Sequence, residues 1–211
     1  MLKEFEKRLL SSLILIPIAF FFIIKGSKFF IFFLSIIFFI ICFEWIKMNK
    51  RKDGVRIIGI IFLFFSLYTA FYLRENSGLY FFLFIIIICI FTDIGGYIFG
   101  KTFKGPKLTS ISPNKTYSGV IGSFLFSLIS AIIYIKYFGN SFDVKLNTFS
   151  LLFLILFVSL ISQVGDLIIS YFKRKAKLKD TGKILPGHGG LLDRIDGLIF
   201  VLPIIYLFKL I

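Results

Sequence analysis

The sequence predicts an all-α, polytopic integral membrane protein of about seven transmembrane helices. Three observations carry that prediction. Hydrophobic residues fill 58% of the 211 positions, against roughly 45–50% in a soluble domain. Mean hydropathy is +0.95, and a soluble fold of this size has too little interior to hide so much apolar surface. The apolar residues fall in runs close to the roughly 20 that a helix needs to cross a bilayer. Disorder is excluded on the same composition.

The first expected span is 9–24. Before it, Leu2, Phe5 and Leu9 mark one side of a short interfacial helix whose Lys3, Glu4, Lys7 and Arg8 face water. A signal peptide would also begin this way. No small-residue cleavage site follows and Pro17 interrupts the run, so the segment is expected to be retained. The second span, 29–46, follows across a tight Lys25-Gly26-Ser27-Lys28 hairpin, and the third is 57–73. These three form an expected N-terminal unit, 1–75. Spans 79–99, 119–137, 149–172 and 191–210 form an expected catalytic unit, 76–211, with long loops at about 100–118 and 173–190. Cys42 and Cys89 sit in apolar runs without a CxxC or a nearby His, and read as small buried hydrophobes.

Charge orients the chain. There are 25 Lys and Arg against 11 Asp and Glu, a formal +14. Nineteen of the basic residues fall on the N-terminus and in the loops after spans two, four and six; six fall on the other side. The excess is therefore topological, with no nucleic-acid role, and both long loops are expected in the cytoplasm. A basic face also suits anionic headgroups or a polyphosphate substrate.

Acids in apolar spans are costly, about 2.5–3.5 kcal/mol for a central Asp on insertion scales, and are functional by default. Asp93, Asp166, Asp193 and Asp196 lie within or at the edge of spans. Ser162, Asp166, Ser170 and Lys173 form one helical stripe, with Gln163 three residues before Asp166. Asp193 and Asp196 share a face at i, i+3. Asp93, Gly96, Tyr97 and Gly100 form a third stripe, where Gly96 reads as close helix packing. Pro186-Gly187-His188-Gly189-Gly190 is a turn able to expose its N–H groups to an anion. His188, the only His, is as well read as structural as substrate-contacting. Carboxylates, basic groups and a Gly-rich turn suit metal-assisted phosphoryl or nucleotidyl transfer, and no P-loop or kinase motif is present.

Ser170-Tyr-Phe-Lys173-Arg174, then Lys179-Asp180-Thr-Gly182 and Pro186-Gly-His188-Gly189-Gly190-Leu-Leu-Asp193-Arg194-Ile-Asp196, resembles the signature of the phosphatidate cytidylyltransferase (CDP-diacylglycerol synthase) family at every fixed position. Gln163-Val-Gly165-Asp166-Leu, Asp93-Ile-Gly-Gly-Tyr97-Ile-Phe-Gly100-Lys101, and Ser112-Pro113-Asn114-Lys115-Thr116 are similar to the family as well. The likeness covers about 90–200; the first three spans match only in character.

The resemblance implies transfer of CMP from CTP to phosphatidic acid, giving CDP-diacylglycerol and pyrophosphate, with Mg²⁺ alone or beside a second cation. It implies Asp166 and Asp193 as metal ligands and, with Asp196, Lys173 and Arg174, as catalytic residues. Lys179, Asp180, His188, Gly189, Gly190, Arg194, Ser112, Lys115, Thr116 and Asp93 are implied in substrate binding. It also implies a homodimer in the inner (cytoplasmic) membrane, working on membrane lipids from the cytoplasmic side. Two departures stand out: Ser118 replaces the usual acid before Gly119, and the chain is short for the family at its N-terminal end. Alternatives are another CTP-using lipid enzyme such as a polyprenol kinase, a non-catalytic homologue, and a transporter, which would call for inverted repeats that the sequence does not display.

Overall fold

A computed structural model describes residues 2–50, 53–109, 111–142, 147–185, 187 and 189–208, with only the backbone of 2–5 and 7–10. Among these residues the chain is all-α. The helices are α1 (Leu2–Lys25), α2 (Ser27–Met48), α3 (Asp53–Asn76), α4 (Leu79–Thr102), α5 (Tyr117–Phe138), α6 (Thr148–Lys175), α7 (Leu192–Ile195) and α8 (Leu198–Leu207), with a 3₁₀ turn at Gly139–Ser141.

α1 and α2 meet at Gly26, whose φ of 64° lies in the region that glycine adopts without strain. Arg74 and Glu75 at the end of α3 clamp this hairpin. Arg74 donates to the Ile23 and Ile24 carbonyls at 2.7 and 3.1 Å, and Glu75 accepts from the Ser27 N–H at 2.7 Å. A cation thus meets one helix C-terminus and an anion the next N-terminus. α5 is capped by Thr116, which accepts from the Gly119 N–H, and α6 by Asn147, which accepts from Ser150.

Among the described residues, five helical segments are long and apolar enough to cross a membrane: α2, α3, α4, α5 with its 3₁₀ extension, and α6. The architecture is that of a multi-pass membrane protein. The expected first and seventh spans are shorter apolar helices, Ser11–Lys25 and Leu198–Leu207. α1 runs unbroken through the stretch expected as a separate interfacial helix, and its apolar part is Ser11–Lys25. The expected seventh span is divided into α7 and the ten-residue α8. Asp196 and Gly197 between them keep helical dihedrals, so the backbone continues from one helix into the next, and Asp196 Oδ1 accepts from the Gly197 N–H at 2.9 Å.

Two apolar clusters hold the bundle. One gathers Phe81, Phe84, Ile85 and Ile88 of α4 with Ala131, Val158, Val201 and Ile205. The other joins Ile41, Cys42, Trp45 and Met48 of α2 to Leu63, Ile169, Leu192 and Ile199, so the N-terminal helices pack on α6–α8. Both cysteines are buried and free, as the sequence predicts. Large apolar residues such as Phe39, Ile58 and Phe149 point outward, a surface suited to lipid.

Candidate active site

α4 and α5 cross with their backbones nearly touching. A Cβ at Gly122 would lie 2.7 Å from the Gly95 carbonyl oxygen, and one at Gly96 2.7 Å from Ser123 Oγ. Ser123 Oγ also donates to the Thr92 carbonyl at 2.8 Å. This is the small-residue packing expected of membrane helices, and Gly96 takes part in it as the sequence predicts. The crossing forms one side of a cavity of about 290 Å³. Its walls are Thr92, Asp93, Gly96 and Tyr97 from α4; Ser112, Asn114, Lys115 and Thr116 from the loop; Gly119, Val120 and Ser123 from α5; and Gln163 and Asp166 from α6.

The loop between α4 and α5 is folded back on itself. Leu108 N–H donates to the Lys115 carbonyl at 2.8 Å, and Tyr117 N–H to Pro106 at 3.2 Å. Ser118, the departure from the family pattern, donates its hydroxyl to the Lys104 carbonyl and lies 2.9 Å from Thr116 Oγ1. Here it ties down the loop. The result delivers Lys115 into the cavity, 2.7 Å from Asp166 Oδ2 and 3.3 Å from the Gln163 carbonyl.

Asp166 is the junction of two groups. Its other oxygen accepts from Ser170 Oγ at 3.2 Å, and the buried carboxyl of Asp196 is near enough to interact with it electrostatically. Asp93 across the cavity is close enough to interact electrostatically with Asp166, Lys115 and Arg194. Lys173 lies 2.8 Å from Asp193 Oδ1 and also within electrostatic reach of Asp166 and Asp196. A lysine ammonium therefore already pairs with one of the signature aspartates.

The loop between α6 and α7 holds Asp193 firmly. Asp193 Oδ2 accepts from Thr181 N–H at 2.8 Å and Gly190 N–H at 3.1 Å, and Thr181 Oγ1 stands 3.0 Å from it. Only Oδ1 is left for a cation. The N–H groups of Leu191 and Leu192 donate to Glu44 of α2, each at 2.9 Å. Of the Gly-rich turn, the Gly190 N–H meets an anion of the protein itself, Asp193, and the two residues after the turn meet Glu44. Gly189 has φ 84° and stacks beside Asp180.

The expected residues therefore divide. Asp93, Ser112, Lys115, Thr116 and Asp166 line the cavity. Lys173, Asp193, Gly190 and Asp196 adjoin it through Asp166 and Lys173. Lys179, Asp180 and Arg194 are exposed on the neighbouring loop and turn. Arg174 folds back to donate to the Leu178 carbonyl at 3.2 Å, finishing α6. His188 lies outside the described residues. Sequence reasoning passed over Glu44 and the bonding role of Thr181. For Glu44 the signal was present, an acid inside an apolar run.

Among the described residues no three His, Cys, Asp or Glu side chains are placed to cage a metal by themselves. Mg²⁺ commonly takes only one or two carboxylates and fills its remaining positions with water and phosphate oxygens. The Lys173 ammonium against Asp193, and that of Lys115 against Asp166, mark two places that accommodate positive charge.

Comparison with known proteins agrees with this chemistry. The model of the cytidylyltransferase family matches residues 54–211. A phosphatidate cytidylyltransferase of Staphylococcus haemolyticus (strain JCSC1435) is 41% identical over 153 residues, 72% of this chain and 55% of the relative. One of Staphylococcus aureus (strain COL) is 44% identical and one of Staphylococcus epidermidis (strain ATCC 12228 / FDA PCI 1200) 40% identical, with the same coverage. The chain thus spans about half the length, 55%, of the curated relatives it matches.

Proposed function

The chain belongs to the cytidylyltransferase family, and from that premise we propose that it is a phosphatidate cytidylyltransferase, moving CMP from CTP to phosphatidic acid in phospholipid synthesis. The observation that carries this reading is the cavity in which Lys115 meets Asp166, with Asp93 on the facing wall and Lys173, Asp193 and Asp196 adjoining.

The lipid phosphate is already an anion, so the reaction needs no strong general base. Its oxygen attacks the α-phosphorus of CTP in line. A P–O bond forms there as the bond to the β-phosphate oxygen breaks, and pyrophosphate leaves with the electron pair. Positioning and charge neutralisation carry such a step. Asp166 and Asp193, with Asp196 in support, are the residues that would hold Mg²⁺, alone or with a second cation, and the bound metal supplies positive charge to the phosphate oxygens. Lys115 and Lys173 are held by carboxylates at the cavity and beside it, where their ammonium groups balance phosphate charge. Lys179 and Arg194 present further charge, and Asp180, Arg174 and His188 complete the signature loop. Ser112 and Thr116 line the wall opposite α6.

The wider setting is part of the proposal. Lys115 reaches α6 from one long loop, and Thr181 reaches Glu44 from the other. Both loops are placed in the cytoplasm, where CTP is, with α1 and the α7–α8 segment completing seven spans in the inner membrane. Residues 1–75 support the catalytic unit 76–211, and two copies form a homodimer. The purified chain, given CTP, phosphatidic acid and Mg²⁺, is expected to release one pyrophosphate per CDP-lipid. A well-folded preparation that makes no CDP-lipid would contradict the reading.

A further inference from the structure

We propose that Glu44 is a positioning residue, acting from α2 through Thr181 and the start of α7 to set the carboxylate of Asp193. Glu44 is 1% exposed, in an apolar helix, and makes no ion pair among the described residues. Its partners are neutral donors: Thr181 Oγ1 at 2.9 Å, Leu191 N–H at 2.9 Å and Leu192 N–H at 2.9 Å. These lie 137 to 148 residues away along the chain.

The loop is shaped around this one group. A Cβ at Gly182 would lie 2.5 Å from Glu44 Oε1, and one at Gly190 2.6 Å from Oε2. Two glycines of the sequence pattern thus leave the space that the carboxylate fills. The Thr181 hydroxyl, with a single proton, stands 2.9 Å from Glu44 Oε2 and 3.0 Å from Asp193 Oδ2. The Thr181 N–H continues to the same Asp193 oxygen. Moving Glu44 therefore moves both Thr181 and the turn bearing Asp193, whose free oxygen faces Lys173. A buried charge is a weak source of stability compared with well-packed apolar residues; here its three bonds fix the placement of a second carboxylate. Glu44 also precedes residue 54, where the family match begins, so the N-terminal helices contribute a determinant of the site.

The activity arm of the test rests on the proposed cytidylyltransferase function; the proteolysis arm does not. In Glu44→Gln an amide replaces one acceptor and sets an N–H₂ against backbone donors. Turnover is expected to fall about 10²-fold, the scale of a small misplacement of reacting groups. The KM for phosphatidic acid should stay within about threefold, the signature of lost transition-state rather than ground-state contact. The Mg²⁺ concentration for half-maximal rate should rise. Trypsin should cut faster after the exposed Lys177, Lys179 and Lys183. Thr181→Val removes the hydroxyl between the two carboxylates, leaves Glu44 itself in place, and should reproduce all three changes with KM again steady; it decides the matter if Glu44→Gln does not fold. Wild-type trypsin rates in the folded variants would overturn the proposal, as would wild-type turnover and Mg²⁺ dependence. If the unaltered chain makes no CDP-lipid, the functional reading fails, and the trypsin rates still decide whether Glu44 holds the loop.

Discussion

Lys115 Nζ lies 2.7 Å from Asp166 Oδ2, latching the loop after α4 onto the polar stripe of α6. Both side chains are about one-quarter exposed, at 25% and 27%. A pair in that setting contributes at most about 1 kcal/mol to stability; under the proposed reaction its role is to place a cation where phosphate charge develops.

Lys115→Met is therefore expected to lower turnover by about 10²-fold, the cost of one electrostatic stabiliser. The thermal midpoint in detergent should scarcely move. Steady-state kinetics beside a melting curve checks both. A large loss of stability with turnover intact would make Lys115 a structural residue only.

Asp166→Asn and Asp193→Asn keep shape and remove charge. Each is expected to cut turnover by at least about 10²-fold. The double variant should be little worse than either single one, because residues that act as a unit are not additive. Lys177→Met, on the exposed loop, should cost much less. Near-normal Mg²⁺-dependent rates in Asp193→Asn would shift attention to Asp93 and Asp196.

The α4–α5 crossing has no room for side chains. A Cβ at Gly95 would lie 2.6 Å from Phe126 Cβ and 2.9 Å from the Gly122 carbonyl carbon. Gly95→Val should destabilise the protein by about 1–3 kcal/mol, the usual cost of overpacking, and widen the cavity. Gly54→Ala, with nothing within 4 Å, should be neutral or stabilising. Thermal unfolding of the two variants gives the contrast.

Sidedness is open to thiol labelling, since Cys42 and Cys89 are buried. An impermeant reagent added outside should miss Lys104→Cys and Lys183→Cys and label Asn76→Cys, all three positions being exposed. Thr181 is a poor reporter because it is only 2% exposed. Outside labelling at position 183 would reverse the orientation and remove access to cytosolic CTP.

The membrane helices were legible because hydropathy is summed over many residues, and the aspartates because a buried charge is conspicuous in an apolar run. Asp93, Lys115 and Asp166 meet as their motifs suggested. What escaped were short-range choices of hydrogen-bond partner. At the junction of α7 and α8, Asp196 bonds its neighbour's N–H, which no hydropathy window registers. The sequence suggests an anion-binding turn at 186–190, while the Gly190 N–H faces Asp193 and the N–H groups of Leu191 and Leu192 just after it face Glu44. Glu44 was missed because its partners lie in a loop 137 or more residues away, and no local pattern joins them.

The most direct test of the proposed chemistry follows the two ends of the nucleotide. Purified chain is incubated with phosphatidic acid, Mg²⁺ and CTP labelled with ³²P at either the α or the γ position. Nucleotidyl transfer predicts that α-label enters the lipid as CDP-diacylglycerol and that γ-label leaves as pyrophosphate. Transfer of γ-label to lipid, with CDP released, would make the protein a lipid kinase and contradict the account.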